Sequence, residues 1–219
     1  SKSAKTIRQF TLQIGEFLKN NDVKMIVIAC NTVSSTALEL LRETYPDIPI
    51  VGCITPTAKE VVKICDKDSR IGIMATKATV KSGVYEDKIK SLNEELFIES
   101  IACPALVPLI EEGIIDNEIM DLTLKYYLDD FIRENDINTL ILGCTHYPLI
   151  SKNLKRLYPN IKIFSSSKEV ATAVKMELEA ADMLSQNENA KSIFYASDLS
   201  ENFVNMIERI LGRDSDELN

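Results

Sequence analysis

Met25-Ile-Val-Ile-Ala-Cys30-Asn31-Thr32 and Leu140-Ile-Leu-Gly-Cys144-Thr145-His146 share one local design, each in its own half of a 219-residue chain. An apolar run ends in a small residue, then a cysteine, then a hydroxyl or amide side chain. Continuous apolar runs of this kind, without polar alternation, read as strands buried on both faces. Working outward, short runs at 48–52, 70–75, 96–101, 161–164 and 192–196 join 25–29 and 139–143 as expected strands. Helical stretches are expected at 34–44, 56–65, 79–92, 105–112, 116–134, 148–157 and 167–184, with 200–211 closing the chain. Such alternation predicts an α/β protein with parallel sheets flanked by helices.

The first nineteen residues form a further expected helix. Ile7, Phe10, Ile14, Phe17 and Leu18 recur at helical spacing and predict a core-facing stripe. Because the chain opens at Ser1 directly in that helix, a preceding segment is expected to have been lost. The polar stretch 185–190 reads as a loop, and 213–219 as a frayed tail.

Composition excludes several function classes. A net charge of −8, with basic residues scattered among acids, argues against a nucleic-acid surface, which needs clustered Lys and Arg. No run approaches the roughly 18 apolar residues of a membrane helix, and no basic-then-apolar leader opens the chain. Five cysteines, an odd number with no C-x-x-C pair, predict reduced thiols in a cytoplasmic protein. The lone His146 argues against a histidine-rich metal site.

Ligands of open α/β sheets bind beyond the carboxyl ends of the strands, where both Cys30 and Cys144 fall. Two similar halves facing each other place these thiols on opposite sides of one cleft. A single cysteine at a strand end is more often a small buried hydrophobe than a catalyst; the matched pair reverses that preference. Opposed thiols suit inversion of a Cα stereocentre, one removing the proton while the other returns one. The α-proton of an amino acid is a very weak acid, so preorganised donors must stabilise a carbanion-like transition state. Asn31, Thr32, Thr145 and backbone N–H groups at the following helix starts supply them, and Thr76 and Thr79 can add two more. The threonines also suit helix caps. His146 can tune Cys144 by hydrogen bonding or proton transfer, and Glu111 can pair with that histidine. Glu111 and Glu112 otherwise read as solvated charges, and Cys53, Cys65 and Cys103 as structural.

Across essentially its whole length the chain resembles the glutamate racemases of the aspartate/glutamate racemase superfamily. The resemblance is carried by ACNT at 29–32, ATKATVKSGVY at 75–85, CPALVPLIEEG at 103–113, GCTHYP at 143–148, and FYASD at 194–198 followed by Phe203. GCTHYP is the most specific of these. The resemblance implies two pseudo-symmetric α/β domains, 1–56 plus 165–219 and 57–164, with the glutamate site in the cleft between them. It implies Cys30 as the base for D-glutamate and Cys144 as the base for L-glutamate. Asn31, Thr32, Thr76, Thr79 and Thr145 would hold the substrate, with Glu111 and His146 assisting Cys144. It further implies no pyridoxal phosphate or metal, a homodimer, and a product, D-glutamate, that feeds bacterial peptidoglycan synthesis.

Departures from the family pattern are Lys77 where proline is usual, Thr57 where glycine is usual, and Ser165 where aspartate is common. The family's opening strand and Asp-Ser-Gly-x-Gly-Gly loop have no counterpart in the sequence, which places the activity of the chain alone in question. Competing expectations are a racemase of aspartate or another amino acid, and a non-catalytic small-anion binder of the same fold. A dinucleotide binder is disfavoured because no G-x-G-x-x-G follows a strand.

Overall fold

The computed structural model describes residues 2–187 and 189–197, with Val204, Ile207 and Ile210 beyond them. The chain begins with α1 (Ala4–Asn20), whose N-cap Ser3 accepts a hydrogen bond from the Thr6 backbone N–H at 3.1 Å. Strand β1 (Ile26–Ile28), α2 (Asn31–Thr44) and β2 (Ile50–Gly52) follow, and β1 pairs in parallel with β2. Helix α3 (Ile54–Ile64) then leads to β3 (Arg70–Ala75), the centre of a second sheet. That sheet is completed by β4 (Phe97–Ala102), β5 (Thr139–Gly143) and β6 (Lys162–Ser165), in the order β4-β3-β5-β6 and parallel throughout.

Helices α4 (Lys77–Ser82) and α5 (Val84–Leu92) join β3 to β4, while α6 (Leu106–Glu111) and α7 (Glu118–Glu134) join β4 to β5. A 3₁₀ turn at Tyr147–Ile150 and α8 (Ser151–Leu157) precede β6, and α9 (Ser167–Ala180) follows it. Every strand of the larger sheet has a helical partner on each face. Ile71, Ile73 and Ile141 pack with Ala58 and Val61 of α3 and with Tyr85 and Ile89 of α5. Leu140 and Leu142 pack on the opposite face with Leu106, Leu124, Leu128 and Leu154. Each such fully buried aliphatic side chain contributes about 1.5–3 kcal/mol, and this double layer holds the sheet that carries Cys144.

Three expectations need correction. The single helix expected over 79–92 is two helices that meet at Gly83, where φ is +66° and a side chain would be strained. The core stripe expected on α1 is displaced around the helix. Ile7, Thr11 and Gly15 are buried and face α2, whereas Phe10, Ile14 and Phe17 are exposed, Ile14 by 60%. Small residues at Thr11 and Gly15 let α1 approach Leu41 closely. Residues 192–196 do not form a strand: they have no neighbouring strand to pair with among the described residues, and Ile193 is 67% exposed. Tyr195 instead sets its ring edge-on to Phe17, with centroids 5.0 Å apart. Of the helix expected at 200–211, only Val204, Ile207 and Ile210 are described, all three helical; Asp198 and Phe203 lie outside the described residues.

Candidate active site

Both thiols stand at carboxyl ends of strands, as their sequence context predicts. Cys30 follows β1 and caps α2, its carbonyl accepting from the Ser34 N–H at 2.9 Å. Asn31 and Thr32 occupy the first two positions of that helix, where unpaired N–H groups and the positive end of the helix dipole favour an anion. Cys30 itself is exposed.

Cys144 follows β5 and is buried. Its position depends on Gly143: a Cβ there would come within 2.9 Å of both Ala75 Cβ and Met74 O of β3. Just beyond, the Tyr147 hydroxyl donates to the Cys103 carbonyl at 3.1 Å, tying the turn after β5 to the loop after β4. The Cys144 Sγ lies 3.8 Å from His146 Nδ1, and His146 Nε2 lies 3.2 Å from Glu111 Oε1. Glu111, on the last turn of α6, thus reaches the histidine despite half its side chain being exposed. Burial pushes the Cys144 thiol up to about 11. The His146 backbone N–H opposes that rise, negative charge on Cys30 and then on Glu111 adds to it, and the Thr145 hydroxyl opposes it slightly. The charge states of the two cysteines are therefore coupled: a thiolate at one disfavours a thiolate at the other.

The structure brings three of the predicted threonines together. Thr32 Oγ1 is 2.8 Å from Thr76 Oγ1 and 3.3 Å from Thr79 Oγ1, and Thr76 and Thr79 are 3.1 Å apart. Thr76 also caps α4, accepting from the Thr79 N–H at 3.3 Å, while its hydroxyl keeps its contact with Thr32. A cavity of about 450 Å³ opens beside them, lined by Thr32, Thr76, Lys77, Cys103, Pro104 and Glu111 among others. Lys77 thereby places a cation at the rim, in keeping with an anionic ligand. Thr145 is exposed beside Cys144.

One feature escaped the sequence reading. Asn31 Oδ1 accepts a 2.7 Å hydrogen bond from Tyr85, which comes from α5. The only sequence signal is the tyrosine ending the 75–85 motif, and it reads equally as core. Cys53, expected to be structural, is fully buried after β2 and is held by Ser34 Oγ at 3.3 Å. Burial pushes this thiol up to about 11 as well. Thr57 now has an account: it is fully buried and its hydroxyl donates to the Cys53 carbonyl at 2.7 Å. Nothing in the structure explains Ser165. Among the described residues no three of His, Cys, Asp and Glu converge as a metal site, and no helix is long and apolar enough to cross a membrane.

Comparison with known proteins accords with this arrangement. Residues 1–174 match the Asp/Glu/Hydantoin racemase family. A glutamate racemase of Sulfurihydrogenibium is 47% identical over 176 residues, covering 80% of this chain and 66% of that protein. The glutamate racemase of Persephonella marina is 39% identical over 214 residues, 98% of this chain and 79% of its own length. Among solved structures, the glutamate racemase of Francisella tularensis in complex with D-glutamate superposes with a TM-score of 0.90 at 31% identity. That superposition covers 98% of this chain and 79% of the other. Fold, motifs and relatives agree: the chain belongs to the Asp/Glu/Hydantoin racemase family and, within it, to the glutamate racemases.

Proposed function

We propose that this protein interconverts L- and D-glutamate by proton transfer between Cys30 and Cys144, without a cofactor. The observation that carries the reading is the Cys144–His146–Glu111 relay beside a thiol whose charge state responds to Cys30. In the L-to-D direction the Cys144 thiolate takes the α-proton and the Cys30 thiol delivers one to the opposite face. Cys144 is then the thiol and Cys30 the thiolate, and the reverse reaction exchanges their roles. Electrostatic coupling suits this alternation, since it favours one proton shared between two sites over none.

His146 receives the Cys144 proton at Nδ1 while Glu111 steadies the ring through Nε2. Asn31, Thr32, Thr76, Thr79 and Thr145 hold the two carboxylates and the amine, and the first N–H groups of α2 face the charge that develops at Cα. The site lies between two domains, 1–56 plus 165–219 and 57–164. The enzyme works in the cytoplasm as a homodimer, and its D-glutamate supplies peptidoglycan synthesis.

Proton NMR of L-glutamate in D₂O with this protein tests the reading. The Cα–H signal is expected to fade as D-glutamate accumulates. A persistent signal in the presence of folded protein that still binds glutamate would replace the racemase by a small-anion binder, and faster exchange on aspartate would reassign the substrate.

A further inference from the structure

Asn31 is 2% exposed, and its two polar atoms stand in opposite circumstances. Oδ1 accepts from Tyr85 at 2.7 Å, whereas Nδ2 is buried with no hydrogen-bond partner among the described residues. A buried donor left unpaired is costly and uncommon in native proteins, and calls for an explanation. This one sits at the start of α2 between Cys30 and Thr32, where a ligand carboxylate is expected.

The other end of the hydrogen bond is fixed firmly. Tyr85 is one of the largest fully buried side chains in the molecule, packed in the core between α3, α5 and the four-stranded sheet. Burial pushes its phenol far above the ordinary range, so the hydroxyl keeps its proton and remains a donor. A primary amide can rotate by half a turn with almost no change of shape, and only its partners choose the orientation. With a donor facing it, the amide presents its oxygen to Tyr85 and leaves its NH₂ for the ligand.

We propose that Tyr85 is a positioning residue for the substrate: by holding Asn31 Oδ1 it presents Nδ2 as the donor to a glutamate carboxylate. The assignment rests on reading the site as a glutamate racemase. Because the hydrogen bond spans α5 and α2, it also fixes the amide relative to the half of the chain that carries Cys144.

Tyr85→Phe keeps the ring and removes only the hydroxyl. KM for both enantiomers is expected to rise about tenfold, the size of one buried hydrogen bond, with kcat changed by less than about twofold. A purely structural role would lower the amount of active enzyme at constant KM. In an Asn31→Ala background the same substitution should add nothing. An unchanged KM in Tyr85→Phe, or additive losses in the double variant, would overturn the assignment. A measurement on the unaltered protein guards against a variant that fails to fold. The Asn31 side-chain NH₂ resonance, identified by its loss in Asn31→Asp, should shift when glutamate is added, and an unmoved resonance overturns the proposal. Cys30→Ser and Cys144→Ser separate the two failures. Handed losses there, with KM unmoved in Tyr85→Phe, reject only the tyrosine, whereas mild and equal losses reject the racemase reading on which it depends.

Discussion

Cys30 and Cys144 end strands of the same design, yet they stand in different surroundings. Cys30 is exposed at the edge of a two-stranded sheet, and no side chain among the described residues hydrogen-bonds its sulfur. Cys144 is buried at the end of a strand with neighbours on both sides, and has a histidine and a glutamate behind it. Burial penalises the charged form of a thiol, so a sulfur taken out of water needs assistance to ionise. The histidine and glutamate thus stand behind the buried thiol of the pair.

The largest expected effect tests whether that asymmetry is functional. Cys144→Ser should lower kcat/KM for L-glutamate by at least about a hundredfold, and Cys30→Ser that for D-glutamate, as loss of general acid–base catalysis commonly does. Separate deuterium exchange assays on the two enantiomers measure this, and equal mild losses would break the comparison. Next comes packing. Gly143→Ala should destabilise the protein by about 1–3 kcal/mol, because β3 leaves no room for the added methyl. Ala29→Ser, at the equivalent exposed position before Cys30, should change stability by less than about 0.5 kcal/mol in chemical denaturation.

Smaller, and specific to one end, is the relay. Glu111→Gln should reduce turnover of L-glutamate by about tenfold through a misoriented His146, and affect attack on D-glutamate less. The pH dependence sharpens the same contrast. Cys144 must be a thiolate to attack L-glutamate, and its folded-state value is about 11. Below that value the thiolate fraction grows with pH, so kcat/KM for L-glutamate should climb between pH 7 and 9. As the acid for D-glutamate, Cys144 is already protonated throughout that window, so its protonation state imposes no such rise in that direction. A profile that falls for L-glutamate over the same range would contradict the assignment of Cys144 as base.

Legibility in the sequence tracked how far each element depends on its neighbours. The strands at 70–75 and 139–143 were readable to the residue because burial on both faces removes polar interruptions. The run at 192–196 looks similar in composition, but a strand needs a partner, and composition does not record one. The α1 stripe misled because Gly15, which sets the close approach to α2, carries no hydrophobic signal. At the strand ends, Cys30, Cys144, His146 and the threonines stand out in the sequence as candidate chemistry. Tyr85 was not, since a tyrosine serving a buried amide and one filling a core have the same local pattern.

The triangle of Thr32, Thr76 and Thr79 bears on selectivity. The three O–H donors of this triangle can be taken up by one another across α2 and α4, so a ligand oxygen that accepts from one of them displaces another hydroxyl. Binding there is an exchange of partners with little net gain in their number. A ligand is favoured there only where its groups replace the hydroxyl contacts it breaks with stronger ones.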